Sequence, residues 1–99
     1  MNINLTNEQM RAIHKEDKLI VDGEEWEYVE QDGDREEDEN GAYHYYIYKR
    51  PSDGKCFRIT IFYCRYGYED YGFEDDMQDN TAYEVERKEV TTIQWCYVK

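Results

Sequence analysis

Residues 69–79 contain no lysine or arginine, and residues 22–39 contain one, Arg35. Where the acids of this chain gather, basic residues are nearly missing, so the charge cannot be neutralised locally. Such a surface repels nucleic acid as a direct ligand. Other scarcities narrow the field. A single proline, Pro51, excludes a proline-rich linker or recognition segment. The cysteines Cys56, Cys64 and Cys96 are odd in number and lack Cys-x-x-Cys spacing, which argues against a disulfide framework and against a paired-ligand zinc site. No apolar run approaches bilayer-spanning length, and no charged-then-apolar leader opens the chain. The expectation is a cytoplasmic protein with reduced thiols and no membrane contact.

Chemical motifs are equally scarce. Asp32, Asp34 and Glu36 occupy the first, third and fifth positions of an EF-hand loop, but Glu37 stands where the turn needs glycine and Tyr43 where the loop needs its bidentate glutamate. His14 and His44 lie far from each other and show no ligand spacing. Residues 5–13 look like the glutamine-bearing helix that opens some helicase domains, yet the phosphate loop GxxxxGK[ST] is absent. The carboxylates sit in polar runs among like charges, where solvation rather than a shifted acid–base pair is expected. No catalytic residue, metal ligand or cofactor is assigned, and the chain is read as not an enzyme.

What is abundant is acid and tyrosine. Of 24 acidic residues, 17 fall in two stretches: 11 in residues 22–39 and six in residues 69–79. The first carries a net charge of −10 and the second −6, against −12 for the whole chain, so the remainder is basic at +4. High net charge with low hydropathy is also the mark of disorder. Eleven tyrosines, three phenylalanines and two tryptophans in 99 residues oppose that reading and favour one folded domain spanning residues 1–99.

Periodicity supplies the elements. Thr6 and Gln9 form a Thr-x-x-Gln capping box, with Leu5 and Met10 spaced as a hydrophobic staple, so a short helix begins after Thr6 with Met10 and Ile13 facing a core. Asp22-Gly23 between 19–21 and 24–30 marks a type I′ hairpin. Residues 43–50 and 56–64 are the strongest strands, joined by Pro51-Ser52-Asp53-Gly54. Apolar side chains on both parities of 43–48 imply a strand covered on both sides or an aromatic patch left for a partner. Residues 32–41 read as a mobile loop, 65–79 as turns with one helical turn near 74–78, and 82–98 as a long strand bent near 87–89. The sum is an α+β fold: a short N-terminal helix packed on a bent antiparallel sheet of about five strands.

Along an extended chain, residues i and i+2 point the same way about 6.6 Å apart. Glu30, Asp32, Asp34, Glu36 and Asp38 follow that spacing, and Glu25 and Glu27 repeat it just upstream. Glu69, Asp70, Glu74, Asp75 and Asp76 form a second group. At one charge per roughly 1.7 Å of duplex, the 16 net negative charges of the two stretches match about 27 Å of DNA. The interleaved Tyr43, Tyr45, Tyr46, Tyr48, Tyr66, Tyr68 and Tyr71 can supply contact area beside them, Tyr46 and Tyr48 as the candidate anchors, since tyrosine is favoured in interfaces.

In this general character, over its whole length, the chain resembles the small acidic inhibitors encoded by phages and mobile elements. These are DNA mimics that block restriction enzymes, DNA glycosylases, histone-like proteins and CRISPR nucleases. The resemblance implies stoichiometric occupation of a basic nucleic-acid-binding groove on a host protein, without chemistry. The competing reading is an adaptor or homodimer formed through a tyrosine-rich sheet face, its acids serving only solubility. Lys49, Arg50, Lys55, Arg58 and Arg65 in the central hairpin weaken the mimic reading if they pair with the acidic loops.

Overall fold

The computed structural model describes residues 1–67, 70–89 and 93–98, with the side chains of 87–89, 93 and 94 outside the description. At its centre two long strands, β5 (Gly41–Arg50) and β6 (Lys55–Gly67), pair antiparallel from Gly41↔Cys64 to Arg50↔Lys55. Their alternating tyrosine, isoleucine and phenylalanine residues suit a pleated, packed surface. The turn between them closes with the Gly54 N–H donating to the Arg50 carbonyl at 2.8 Å, and Gly54 adopts φ 72, a conformation glycine reaches without strain. Asp53 holds the same turn. It accepts from Arg50 Nε at 3.1 Å and Nη2 at 2.5 Å, and these bonds pull its carboxyl down to about 2.

Each flank of the central pair is filled by two shorter strands in line. Beside β5 lie β3 (Glu24–Gln31) and β4 (Glu36–Glu37). Beside β6 lie β7 (Asp70–Phe73) and β8 (Thr81–Glu89). β2 (Leu19–Val21) extends β3, while β1 (Asn2–Asn4) and β9 (Ile93–Tyr97) extend β8. The β2–β3 turn is type I′, with positive φ at both Asp22 (52) and Gly23 (78).

The fold is therefore α+β with one α-helix, but the described sheet has nine strands rather than about five. Three of the added strands have two to four residues, too short to show a hydrophobic period. One of them, β4, lies inside the polar segment expected to be a loop. The fourth comes from residues 82–98, which form two antiparallel strands with Glu89 opposite Ile93, not one bent strand.

The helix α1 (Asn7–Glu16) begins as its cap residues dictate. Gln9 N donates to Thr6 Oγ1 at 3.1 Å and Thr6 N donates to Gln9 Oε1 at 2.8 Å. It ends at Asp17 in the left-handed region, φ 53. Met10 and Ile13 are buried with Leu5, Leu19, Trp26, Tyr48, Phe57, Ile59, Ile61 and Ala82. Burying each large side chain is worth about 1.5–3 kcal/mol, and together they glue the helix to one face of the sheet. A 3₁₀ turn (Asp75–Met77) follows β7.

Among the described residues no helix lies over the other face. Trp95 Nε1 of β9 donates to Glu30 Oε1 of β3 at 2.6 Å, although β8, β6 and β5 lie between those strands in the pairing order. Flat, they would stand about 19 Å apart. The sheet is curled, and its helix-free face is concave. No helix among the described residues is long and apolar enough to cross a membrane.

Candidate partner-binding surface

Simple alternation points Glu25 and Glu27 away from Trp26 and Tyr28, hence toward the concave face. Continued unbroken, it would send Glu30 to the helix side. A register shift between Tyr28 and Glu30 prevents this: Glu27 lies opposite Lys49, Tyr28 opposite Tyr48, and Glu30, not Val29, opposite Ile47. The bulge adds one residue and restores the parity of the acids. Beyond it Asp32 N donates to the Tyr45 carbonyl at 2.8 Å, and Glu36 stands opposite Tyr43.

Glu27, Glu30, Asp32 and Glu36 thus flank Lys49, Ile47, Tyr45 and Tyr43, successive residues on one face of β5. Six residues of strand at about 3.4 Å each make this row roughly 20 Å long. Glu25 continues it at one end. The row is real but differs from the expected one. Asp34 lies in the turn between β3 and β4, beside Gly33 at φ 77. Asp38 is folded back, its Oδ1 accepting from Asn40 N at 2.8 Å and Gly41 N at 3.1 Å. Neither belongs to the straight line, because the extended chain that would align them is broken by two turns.

Eleven acids occupy residues 22–39, and three have a basic partner: Glu25 with Lys18 at 3.7 Å, Glu37 with Arg35 at 2.7 Å and Asp32 with Arg58 at 3.1 Å. The other eight have no described basic side chain within ion-pair distance. Of the five cations in the central hairpin, only Arg58 pairs with the acidic stretch; Arg50 is spent on Asp53.

Arg58 anchors the floor of the concave face. Its guanidinium carbon lies 4.1 Å from the Tyr45 ring centroid and 5.6 Å from that of Tyr97, and Nη1 donates to the Tyr97 hydroxyl. Nε is buried and sits 3.1 Å from Asp32 Oδ2 off the line of a hydrogen bond, so that contact is ionic. Two other acids of the row accept from ring edges: Glu36 from Tyr45 hydroxyl at 3.1 Å and Glu30 from Trp95. Burial, then the bond to Glu36, raises the Tyr45 phenol above its ordinary value.

The second acidic stretch is used differently. Asp75 is bound to Arg11 of α1, and Glu74 accepts from the Tyr66 hydroxyl. Asp79 caps the start of β8, accepting from Thr81 N at 3.1 Å and from Tyr83 hydroxyl at 2.8 Å. Gln78 fastens the segment to β6 through Phe62, taking its N–H at 2.9 Å and giving to its carbonyl at 2.8 Å. Asp70 and Asp76 are exposed, and Glu69 lies outside the described residues. A groove of about 440 Å³ lined by Arg11, His14, Lys15, Phe73, Glu74, Asp75 and Asp76 runs beside α1, on the opposite side of the sheet from the row. The two stretches do not merge into one surface.

The tyrosine expectation also changes. Tyr48 is 1% exposed, and Tyr46 packs against the same core, so neither is placed as a contact anchor. Their parity belongs to the helix side, which two-sided apolar patterning left undecided. The rings beside the row are Tyr43 and Tyr45, which the sequence offered among the interleaved tyrosines, and Trp95 and Tyr97, which it did not. What was legible was parity: Trp95 and Tyr97 share it with each other, and Tyr43 with Tyr45.

The histidines serve packing. His14 Nδ1 lies 2.9 Å from the Tyr63 hydroxyl and its ring stacks on Phe73 at 4.7 Å. His44 stacks on Tyr46 and meets Tyr63 edge-on. The Tyr63 phenol is pushed by burial up to about 12. The cysteines are unbridged and half-buried, and burial raises the Cys56 thiol. Among the described residues no group of three or more potential ligands is placed to hold a metal ion.

No protein-family model matches the chain, and no curated protein or solved structure matches it.

Proposed function

We propose that this protein is a non-enzymatic inhibitor that seats its row of carboxylates in a basic, nucleic-acid-binding groove of a host protein. The observation that carries the reading is the alignment of Glu25, Glu27, Glu30, Asp32 and Glu36 on the sheet face that no described helix covers, within a stretch where eight of 11 acids have no described basic side chain within ion-pair distance. Charges held fixed by a sheet lose little entropy on meeting lysine and arginine, and their field speeds the encounter. The same field disfavours nucleic acid as ligand, and it disfavours a homodimer through this face, which would set like-charged rows together. Unbridged cysteines suit the cytoplasm of the host.

The partner is a protein whose groove is complementary in charge, such as a CRISPR nuclease or restriction enzyme, and inhibition is competition for its nucleic acid. The test is a capture of partners from bacterial lysate on the tagged protein, eluted by a salt gradient and by added DNA. Partners that bind nucleic acid, leave as salt rises and are displaced by DNA support the reading. A partner indifferent to both salt and DNA would sink it.

A further inference from the structure

Duplex DNA presents two phosphate strands across a groove, about 12 Å wide on the major side and 6 Å on the minor. A protein surface that imitates it needs two charged rows facing the same way. Here there is one. The second stretch reaches the other side of the sheet, where Asp75 is tied to Arg11 of the covering helix. What stands beside the single row is a set of rings, and they lie to one side only. Moving from β3 and β4 across β5 toward β9, the concave face shows Tyr43, Tyr45, Trp95 and Tyr97, with Tyr97 55% exposed. In the opposite direction only β2 remains. Two rings are joined to carboxylates of the row by hydrogen bonds, Tyr45 to Glu36 and Trp95 to Glu30. Each such pair sets an anionic group next to a flat ring, as a nucleotide does.

We infer that the groove this surface fits is one that binds a single strand, lined with cations along one track and with aromatic side chains beside it. Single-strand grooves use both, and stacking on their rings contributes appreciably per base. Five carboxylates in the row fall within the range of site sizes of about 4–16 nucleotides for one OB-fold. The inference rests on the acidic-surface reading above and narrows its partner class.

The experiment is a competition at low salt. A fluorescent oligothymidylate of about 20 nucleotides is bound to an OB-fold single-strand-binding protein. A fluorescent duplex of about 20 base pairs is bound to an architectural protein that wraps duplex DNA. The full chain is titrated into each and anisotropy is read. Displacement of the single strand at a concentration about tenfold or more below that needed for the duplex supports the inference, provided that Trp95→Leu or Tyr97→Leu, each with an unchanged melting curve, narrows the gap. Equal displacement of both probes, or folded ring variants that compete as well as the parent, overturns it and leaves the acidic row standing. Displacement of neither probe removes the acidic-surface reading itself.

Discussion

The two acidic stretches have similar composition and opposite fates. Residues 22–39 align five of their carboxylates along one face, two of them, Glu25 and Asp32, paired with Lys18 and Arg58. In residues 70–79 three acids serve local structure: Asp75 an ion pair to α1, Glu74 a bond from a tyrosine hydroxyl, Asp79 a strand cap. The difference is in the neighbours. β3 and β4 run beside β5, whose concave-face residues are Lys49, Ile47, Tyr45 and Tyr43, so β5 offers the acids one cation and β6 adds Arg58, which pairs with Asp32. The second stretch passes next to α1 and β8, which offer Arg11, backbone N–H groups and Tyr83. Charge density alone does not say what a charge is for; what it touches does.

The comparison can be broken first at its scaffold. Tyr48→Ala empties a fully buried site beneath the helix and is expected to cost about 3–5 kcal/mol, by the usual penalty for deleting a buried aromatic side chain. Tyr43→Ala, on the concave face, should cost far less, as read by urea denaturation. Similar losses from the two would contradict the assignment of faces.

Neutralising the row by the triple change Glu27→Gln, Glu30→Gln and Glu36→Gln should weaken partner binding by about tenfold or more at low salt and flatten its salt dependence, with stability nearly unchanged. The matching change on the other stretch, Glu74→Gln, Asp75→Asn and Asp79→Asn, should do the reverse. Its expected signature is a lower melting temperature with binding intact. Of that set, Asp79→Asn weakens two hydrogen bonds at about 1 kcal/mol each or less, and the solvent-screened Arg11–Asp75 pair adds little. If the second triple variant loses binding while it remains folded, the division of labour is wrong.

Smaller still is the response to pH. Burial lowers His14, aided by Lys15 and opposed by Asp17; burial and then Arg35 lower His44. The folded state therefore binds fewer protons than the unfolded chain just below the ordinary histidine value. Stability is complete above about 6.5 and falls as pH drops through the folded values. His14 lines the groove with Asp75 and Asp76, so the acidic limb reports on the second region. His14→Gln should flatten the loss that begins as pH falls below about 6.5 in thermal melts. An unchanged slope would remove His14 from the account.

Much of the local structure was legible. The Thr6–Gln9 box, the staple of Leu5 and Met10, Asp22-Gly23 and Pro51–Gly54 each carry their geometry in residue type, because caps and turns are set by short-range sterics and hydrogen bonding. Strands β1, β4 and β7 were not legible, since two to four residues cannot display a period and their pairing depends on a long neighbour already in place. Tyr46 and Tyr48 show why the site was half-read. Alternation divides a strand into two faces but does not name the one the helix will cover, and the helix covers the face of Tyr46 and Tyr48.

By itself, the sequence determined the charge of each stretch, the helix start, two turns and the alternating central pair, all consequences of residues within a few positions of one another. Tertiary structure alone decided that a bulge at Val29 brings Glu30 into line with Glu27, that Trp95 and Tyr97 arrive beside that line, and that Asp75 finds Arg11. Those outcomes depend on register between distant strands and on sheet curl. Both are settled by packing the whole core, not by any segment of it.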